Sequence, residues 1–132
     1  MILTVDVTSD VPIYQQLRDR VVEAIADGRL TLGDSLPATR ALAADFGINF
    51  HTVNKAYDVL RRQGLVRVQR KTGATVTKDP DSGPPDEAFT DDWTARARTL
   101  LAEAVANGMP ADEVQGRCRA LLDGFVDKGR TS

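Results

Sequence analysis

LPATRALAADFGINFHTVNKAYDVLRRQG, residues 36–64, is the stretch on which the fold turns. Leu36-Pro37 opens a short helix whose apolar positions are Leu42, Ala43 and Phe46. Gly47 stops it, since a helix end that turns left-handed favours the residue without a Cβ. Ile48 leads into a longer helix with Asn49 as N-cap, its side chain suited to accept an orphan backbone N–H. Val53, Ala56, Tyr57 and Leu60 recur at three- and four-residue spacing and form its buried stripe, and Gly64 closes it. Two short helices joined by a tight glycine-containing turn make a helix-turn-helix pattern.

Working outward, Asp10-Val11-Pro12 starts an earlier helix, with Asp10 as N-cap and Pro12 in the first turn, where a missing N–H does no harm. Tyr14, Leu17, Val21 and Ile25 form its apolar stripe, and Gly28 ends it. Leu3-Thr-Val5-Asp-Val7 alternates apolar with polar, as a short strand or an extended arm does. Downstream, Leu65–Gln69 and Ala74–Thr77 are predicted strands around Lys71-Thr72-Gly73. A hairpin directly after the second helix of such a pair is a wing.

Residues 79–92, DPDSGPPDEAFTDD, are rich in Pro, Gly, Ser and acid, and read as a linker. Beyond it Trp93, Ala97, Leu100, Leu101, Ala104 and Val105 share one helical face. Asn107-Gly108 breaks that helix and Pro110 starts another, with Val114, Leu121, Leu122, Phe125 and Val126 facing inward. The expected architecture is mainly α with a small β wing, an α+β class. A winged helix-turn-helix fills residues 1–78, the linker 79–92, and a helical dimerisation module 93–128.

The whole chain of 132 residues carries a net charge of −2, but the charge is unevenly placed. Residues 46–78 hold seven Lys/Arg against one acid, net +6, while residues 79–132 have a net −5. A local basic surface is what neutralises phosphates, so the concentration matters more than the total. No apolar run approaches the ~20 residues that span a bilayer. MILTVDVTSD lacks the basic start of a signal peptide. The single cysteine, Cys118, forms no internal disulfide, and no Cys/His cluster points to zinc. A cytoplasmic protein without membrane contact, metal or cofactor is expected, and no arrangement of nucleophile, base and acid points to an enzyme.

On the second helix of the pair, at about 100° per residue, His51, Asn54, Lys55, Asp58 and Arg62 fall opposite the buried stripe. In this motif the N-terminal half of such a face enters the major groove of double-stranded DNA. Asn54 suits a bidentate pair with adenine, Lys55 a guanine edge or a phosphate, and the Thr52 methyl a thymine. His51 is a candidate base or phosphate contact. Phe50 either touches a thymine methyl or sugar or packs locally as a staple. Tyr57 is expected in the core with its hydroxyl a candidate for a phosphate. At the hairpin tip Arg70, Lys71 and Thr72 are candidate phosphate or minor-groove contacts, with Gly73 permitting a positive φ. Two helices of about 15 residues cannot bury Trp93, Leu100, Leu101, Val105, Leu121, Leu122 and Phe125 against each other alone. A two-fold homodimer follows, each large side chain contributing ~1.5–3 kcal/mol once removed from water.

The residues also resemble the GntR family of bacterial regulators. The likeness runs Gly28-x-Leu30-x-x-Gly33-x-x-Leu36-Pro37-Ala38-x-Arg40-x-Leu42-Ala43-x-x-Phe46-Gly47-Ile48 and on through Asn49-x-x-Thr52-Val53-x-Lys55-Ala56-Tyr57-x-x-Leu60-x-x-x-Gly64-Leu65. It ends at Gly73-Ala74-x-Val76. Only about 40 residues follow the linker, which is similar to the YtrA-type subfamily with its short helical dimerisation module. The resemblance implies a dimeric repressor of its own operon on a palindromic operator, and it implies ABC-transporter genes as targets. It assigns Arg40 a DNA contact, the alternative being a surface salt bridge with an acid such as Asp45; Thr39 is a weaker phosphate candidate and Asn49 a further candidate contact. The sequence departs from the family pattern at Ala38, where a capping serine is frequent. It departs again at Phe50 and His51, where basic and hydroxyl residues are common. A competing reading is a winged-helix protein-interaction module without specific DNA binding, which the +6 segment disfavours. The effector is unknown, and the C-terminal segment is too small to enclose a pocket of ~300 Å³ within one subunit.

Overall fold

The structure is a computed structural model that describes residues 4–69 and 73–130. Its elements run α1 (Ile13–Ala26), β1 (Ser35–Leu36), α2 (Thr39–Phe46), α3 (Phe50–Arg62), β2 (Val66–Gln69), β3 (Gly73–Val76), α4 (Glu87–Ala106) and α5 (Ala111–Arg130). The fold is α+β, with an N-terminal winged helix-turn-helix and a C-terminal pair of helices.

Leu17, Val21, Ala24 and Ile25 of α1 and Val53, Ala56, Tyr57 and Leu60 of α3 supply most of one core, which Leu42 and Ala43 of α2 complete. Gly47 adopts φ +66, and Ile48 N–H then reaches back to the Ala43 carbonyl at 3.0 Å. That left-handed turn satisfies two of the carbonyls orphaned at the end of α2 and sets the angle at which α3 departs. Asn49 caps α3 as expected, its side chain accepting the His51 N–H at 2.8 Å.

Two local expectations are corrected, and one choice between alternatives is resolved. The N-cap of α1 is Pro12, without a side-chain cap, and not Asp10. Residues 4–11 form no strand, which leaves the arm of the two alternatives: 4–6 have no regular structure and 7–11 turn and bend, pinned by Gln16 from the α1 side, while Leu3 lies outside the described residues. Its amide donates to the Asp6 and Val11 carbonyls at 2.9 and 2.8 Å and its oxygen accepts the Asp6 N–H at 2.6 Å. Gln16 is therefore buried but fully engaged, which is how a polar side chain is retained inside a small core. Leu36-Pro37 does not begin α2. Ser35–Leu36 instead pairs antiparallel with β3, Leu36 opposite Ala74, so the wing is a three-stranded sheet in the order β1-β3-β2. Burial of Leu36 on that sheet outweighs the helix-opening tendency of the proline, which holds only at Thr39, after an Ala38 that offers no capping oxygen.

Helix α4 starts at Glu87, six residues earlier than the linker boundary at 92 implies, because Asp86 accepts the Phe89 N–H at 2.8 Å. Asn107–Pro110 turns the chain into α5, which returns to touch α1. Within one chain Ala97, Ala104, Val114 and Phe125 are half-buried. Trp93, Leu100, Leu101, Val105, Leu121 and Leu122 are exposed, Leu100 and Leu121 each at 66%. Leu121 and Leu122 thus do not face inward within the single chain. Each helix spans 20 residues, longer than the roughly 15 expected, yet a single partner helix covers only one stripe of its neighbour and leaves these side chains in solvent. The Val126 side chain lies outside the described residues.

Candidate nucleic-acid interface

The face of α3 that its packing leaves free begins at its N-terminus. Asn49, His51, Asn54 and Lys55 are exposed, whereas Val53, Ala56 and Tyr57 are buried beneath them. This separation follows from the 3.6-residue period: at about 100° per residue, Val53, Ala56, Tyr57 and Leu60 gather on one side, and His51, Asn54 and Lys55 fall outside that stripe. Thr52 is half-buried on the flank, with its N–H bonded to the Asn49 carbonyl at 3.0 Å.

Two cations on this surface rest on aromatic rings. The Arg40 guanidinium at the start of α2 lies 4.2 Å above the centre of the Phe50 ring. Lys55 Nζ lies 4.1 Å above the Tyr14 ring of α1. Stacking of this kind holds a long side chain in place while leaving its outer face free to meet an anion. Phe50 is half-buried, packs against the core and stacks on His51 at 4.1 Å, so the structure gives it the local packing role. Arg40 makes no ion pair with Asp45 among the described residues. Thr39 is half-buried in the first turn of α2 beside it.

Farther along α3, Asp58 binds Arg61 at 2.7 Å and Arg62 at 2.8 Å. The hydrogen bond from Arg61 is the main reason the Asp58 carboxyl is held below its ordinary value, with the charges of Arg62 and Arg61 adding to it. Asp58 thereby engages both arginines of the C-terminal half and cancels one of their two charges, and Lys55 remains as the α3 cation nearest the reading end.

Tyr57 is corrected in one respect. It is 2% exposed, and its hydroxyl donates to the Pro37 carbonyl at 2.7 Å, so it is not free for a phosphate. Burial pushes its phenol above the ordinary value. Gly73 takes the positive φ expected of it, +92, and it is buried, with backbone passing close over it. A Cβ there would meet the Pro37 carbonyl group at 2.7 Å and the Leu36 carbonyl oxygen closer still. Tyr57, Pro37 and Gly73 thus clamp the wing onto the helix-turn-helix, fixing where the hairpin stands relative to α3. Arg70, Lys71 and Thr72 lie outside the described residues. Arg67, exposed on β2, is a further cation on the wing; the sequence reading looked to the tip and passed it over.

Among the described residues no group of side chains could hold a metal ion, and no helix is long and apolar enough to cross a membrane.

Residues 13–76 match the family described as bacterial regulatory proteins, gntR family. The chain is 30% identical over 98 residues to HTH-type transcriptional regulator Rv1152 of Mycobacterium tuberculosis, spanning 74% of this chain and 81% of that protein. It is 34% identical over 77 residues to HTH-type transcriptional repressor YtrA of Bacillus subtilis, spanning 58% of this chain and 59% of the repressor's length. Among solved structures, YtrA from Sulfolobus acidocaldarius, a GntR-family transcription factor, superposes with a TM-score of 0.62 at 36% identity. That match covers 80% of this chain and 99% of the other. A transcriptional antiterminator from Listeria monocytogenes EGD-e superposes with a TM-score of 0.77 over 92% of this chain and 93% of its own, at 24% identity, a likeness of fold alone.

Proposed function

The chain belongs to the GntR family of bacterial regulatory proteins and is a DNA-binding transcriptional regulator of the YtrA type, and from that premise we propose that it is a dimeric, cytoplasmic repressor of its own operon. The operator is a palindrome, read by one α3 from each subunit in successive major grooves. The observation that carries this reading is the free N-terminal face of α3, where His51, Asn54 and Lys55 are exposed, with Arg40 stacked on Phe50 at its start. Asn54 reads an adenine edge, Lys55 a guanine edge or phosphate, and His51 and Thr52 the neighbouring step. Arg40, Thr39 and the α3 N-terminus contact the backbone, whose phosphates favour the exposed N–H groups of a helix start. Arg67 and the cations of the wing tip take adjacent phosphates.

The dimer is formed by α4 and α5. Their uncovered Trp93, Leu100, Leu101, Val105, Leu121 and Leu122 are apolar side chains that a second copy would cover, together with the half-buried Phe125. Burial at ~1.5–3 kcal/mol for each such side chain offsets the cost of association. Two-fold symmetry then places the two recognition helices about one turn of DNA apart or more. Regulated genes of the ABC-transporter kind remain part of the proposal through the likeness to YtrA-type repressors. Gel shifts with the chain's own promoter region test it. Binding at nanomolar protein that random duplex does not compete supports the reading, and equal affinity for random duplex overturns it.

A further inference from the structure

The segment joining the wing to α4 forms one wall of an apolar groove. Val22, Ile25 and Ala26 of α1 and Leu65 after α3 make its floor, and Pro80 and Pro84 face them across about 630 Å³. That volume falls within the ~300–1,000 Å³ of small-molecule sites, and its apolar lining with few polar groups fits the same class. The wall is pre-formed. Asp79 accepts the Leu32 N–H at 3.0 Å and the Asp81 N–H at 2.9 Å, and the Ser82 hydroxyl donates to it at 3.1 Å. These bonds occupy the one carboxylate at the rim and tie the connector to the turn before β1. Lys78, exposed at the same rim, has no hydrogen bond or ion pair with any other described residue.

We propose that this groove binds an apolar small molecule with a single anionic head group, its hydrocarbon body on Val22, Ala26 and Leu65 and its head at Lys78, and that this is where an effector acts. The regulatory half of the proposal rests on the operator-binding reading above; the binding half does not. The groove lies where a ligand gains leverage. Thr77 is fixed to the end of α3 through the Leu65 and Gly64 carbonyls at 2.9 and 3.2 Å, and α4 begins at Glu87. The intervening residues set the direction in which α4 leaves the DNA-binding head. An occupant that bridges α1 and these residues favours one direction over others, and in a dimer that changes the separation of the two recognition helices. It can do so only through its unequal affinity for the two arrangements.

Decanoate is the probe, titrated into the full-length chain with backbone amide resonances recorded, and decanol is its uncharged counterpart. Saturable shifts are expected at residues 22–26, 65 and 78–83, with decanol binding about fivefold more weakly or worse. Lys78→Glu should weaken decanoate by about tenfold and leave decanol unchanged. Ala26→Trp, which fills the floor, should abolish both. Absence of shifts, shifts confined to α4 and α5, or decanol binding as tightly as decanoate would overturn the binding site. Shielding of the groove by a second copy of the chain would appear as no binding until the dimer dissociates, and overturns it equally. If decanoate binds here but leaves the operator dissociation constant within twofold, the regulatory half fails while the site stands. If the operator itself is not bound specifically, only the repressor reading fails, since the amide titration needs no DNA.

Discussion

Replacement of Gly73 by alanine separates a packing role at the foot of the wing from a direct contact with DNA. Two costs add at this position. The φ of +92 lies where a Cβ is disfavoured by about 1–2 kcal/mol. The new methyl also meets the Pro37 carbonyl group at 2.7 Å, and this neighbour is backbone and cannot swing aside. Forcing β1 away from β3 is an overpacking cost of about 1–3 kcal/mol. The expected loss is about 2–5 kcal/mol, a large share of the ~5–15 kcal/mol that holds an ordinary domain together. Gly33→Ala supplies the internal control. Its φ is +91, almost the same, but nothing lies within 4 Å of the added Cβ, so it reports backbone strain alone. Urea unfolding followed by circular dichroism gives both losses, the control at about 1–2 kcal/mol. Equal destabilisation by the two variants would refute the close-approach argument. A fully stable Gly73→Ala with weakened operator binding would return this glycine to the DNA surface.

Arg40→Ala and Lys55→Ala should each lower operator affinity without changing the dimer. Where the lost contact is to a phosphate, the salt slope should fall by about 1, and unchanged titrations in both variants would move the reading surface elsewhere. Leu100→Asp with Leu121→Asp places charges on the uncovered face of α4 and α5, and sedimentation should then give a monomer at micromolar concentration while the N-terminal head stays folded. A double variant that sediments as the parent does would place the subunit contact on another surface. Carboxyl NMR should find Asp58 and Asp79 titrating below the ordinary 3.8, Asp58 chiefly through its hydrogen bond from Arg61 and Asp79 chiefly through the Leu32 N–H. Since folding depresses both, their stabilising contribution is complete above about pH 4 and disappears as pH falls through the depressed values. A midpoint at or above 3.8 for Asp79 would mean that the connector is not pinned to the turn before β1.

Local pattern made much of the molecule legible. The stripe Val53, Ala56, Tyr57 and Leu60, the cap at Asn49 and the stop at Gly47 depend on residues within a few positions of one another. Helical geometry turns such spacing directly into faces and ends. The free face with His51, Asn54 and Lys55 was readable for the same reason. What escaped that reading involves partners distant in the chain. Ser35–Leu36 becomes a strand only because β3 arrives beside it, and a two-residue strand has no periodicity to detect. The hydroxyl of Tyr57 finds Pro37 twenty residues away, and Gly73 is obligatory because the same Pro37 passes over it. Arg40 on Phe50 and Lys55 on Tyr14 likewise join separate helices.

The amino-acid sequence by itself therefore determined the helix-turn-helix, the hairpin after it, the basic character of residues 46–78 and the apolar faces of the last two helices. Each of these is a property of neighbouring residues and of backbone periodicity. Only the tertiary structure decided how the wing is clamped to the reading helix, which cations are spent on Asp58 and which remain free, and that the connector walls a groove. Those depend on distances between segments, which close packing sets and chain-local preference does not.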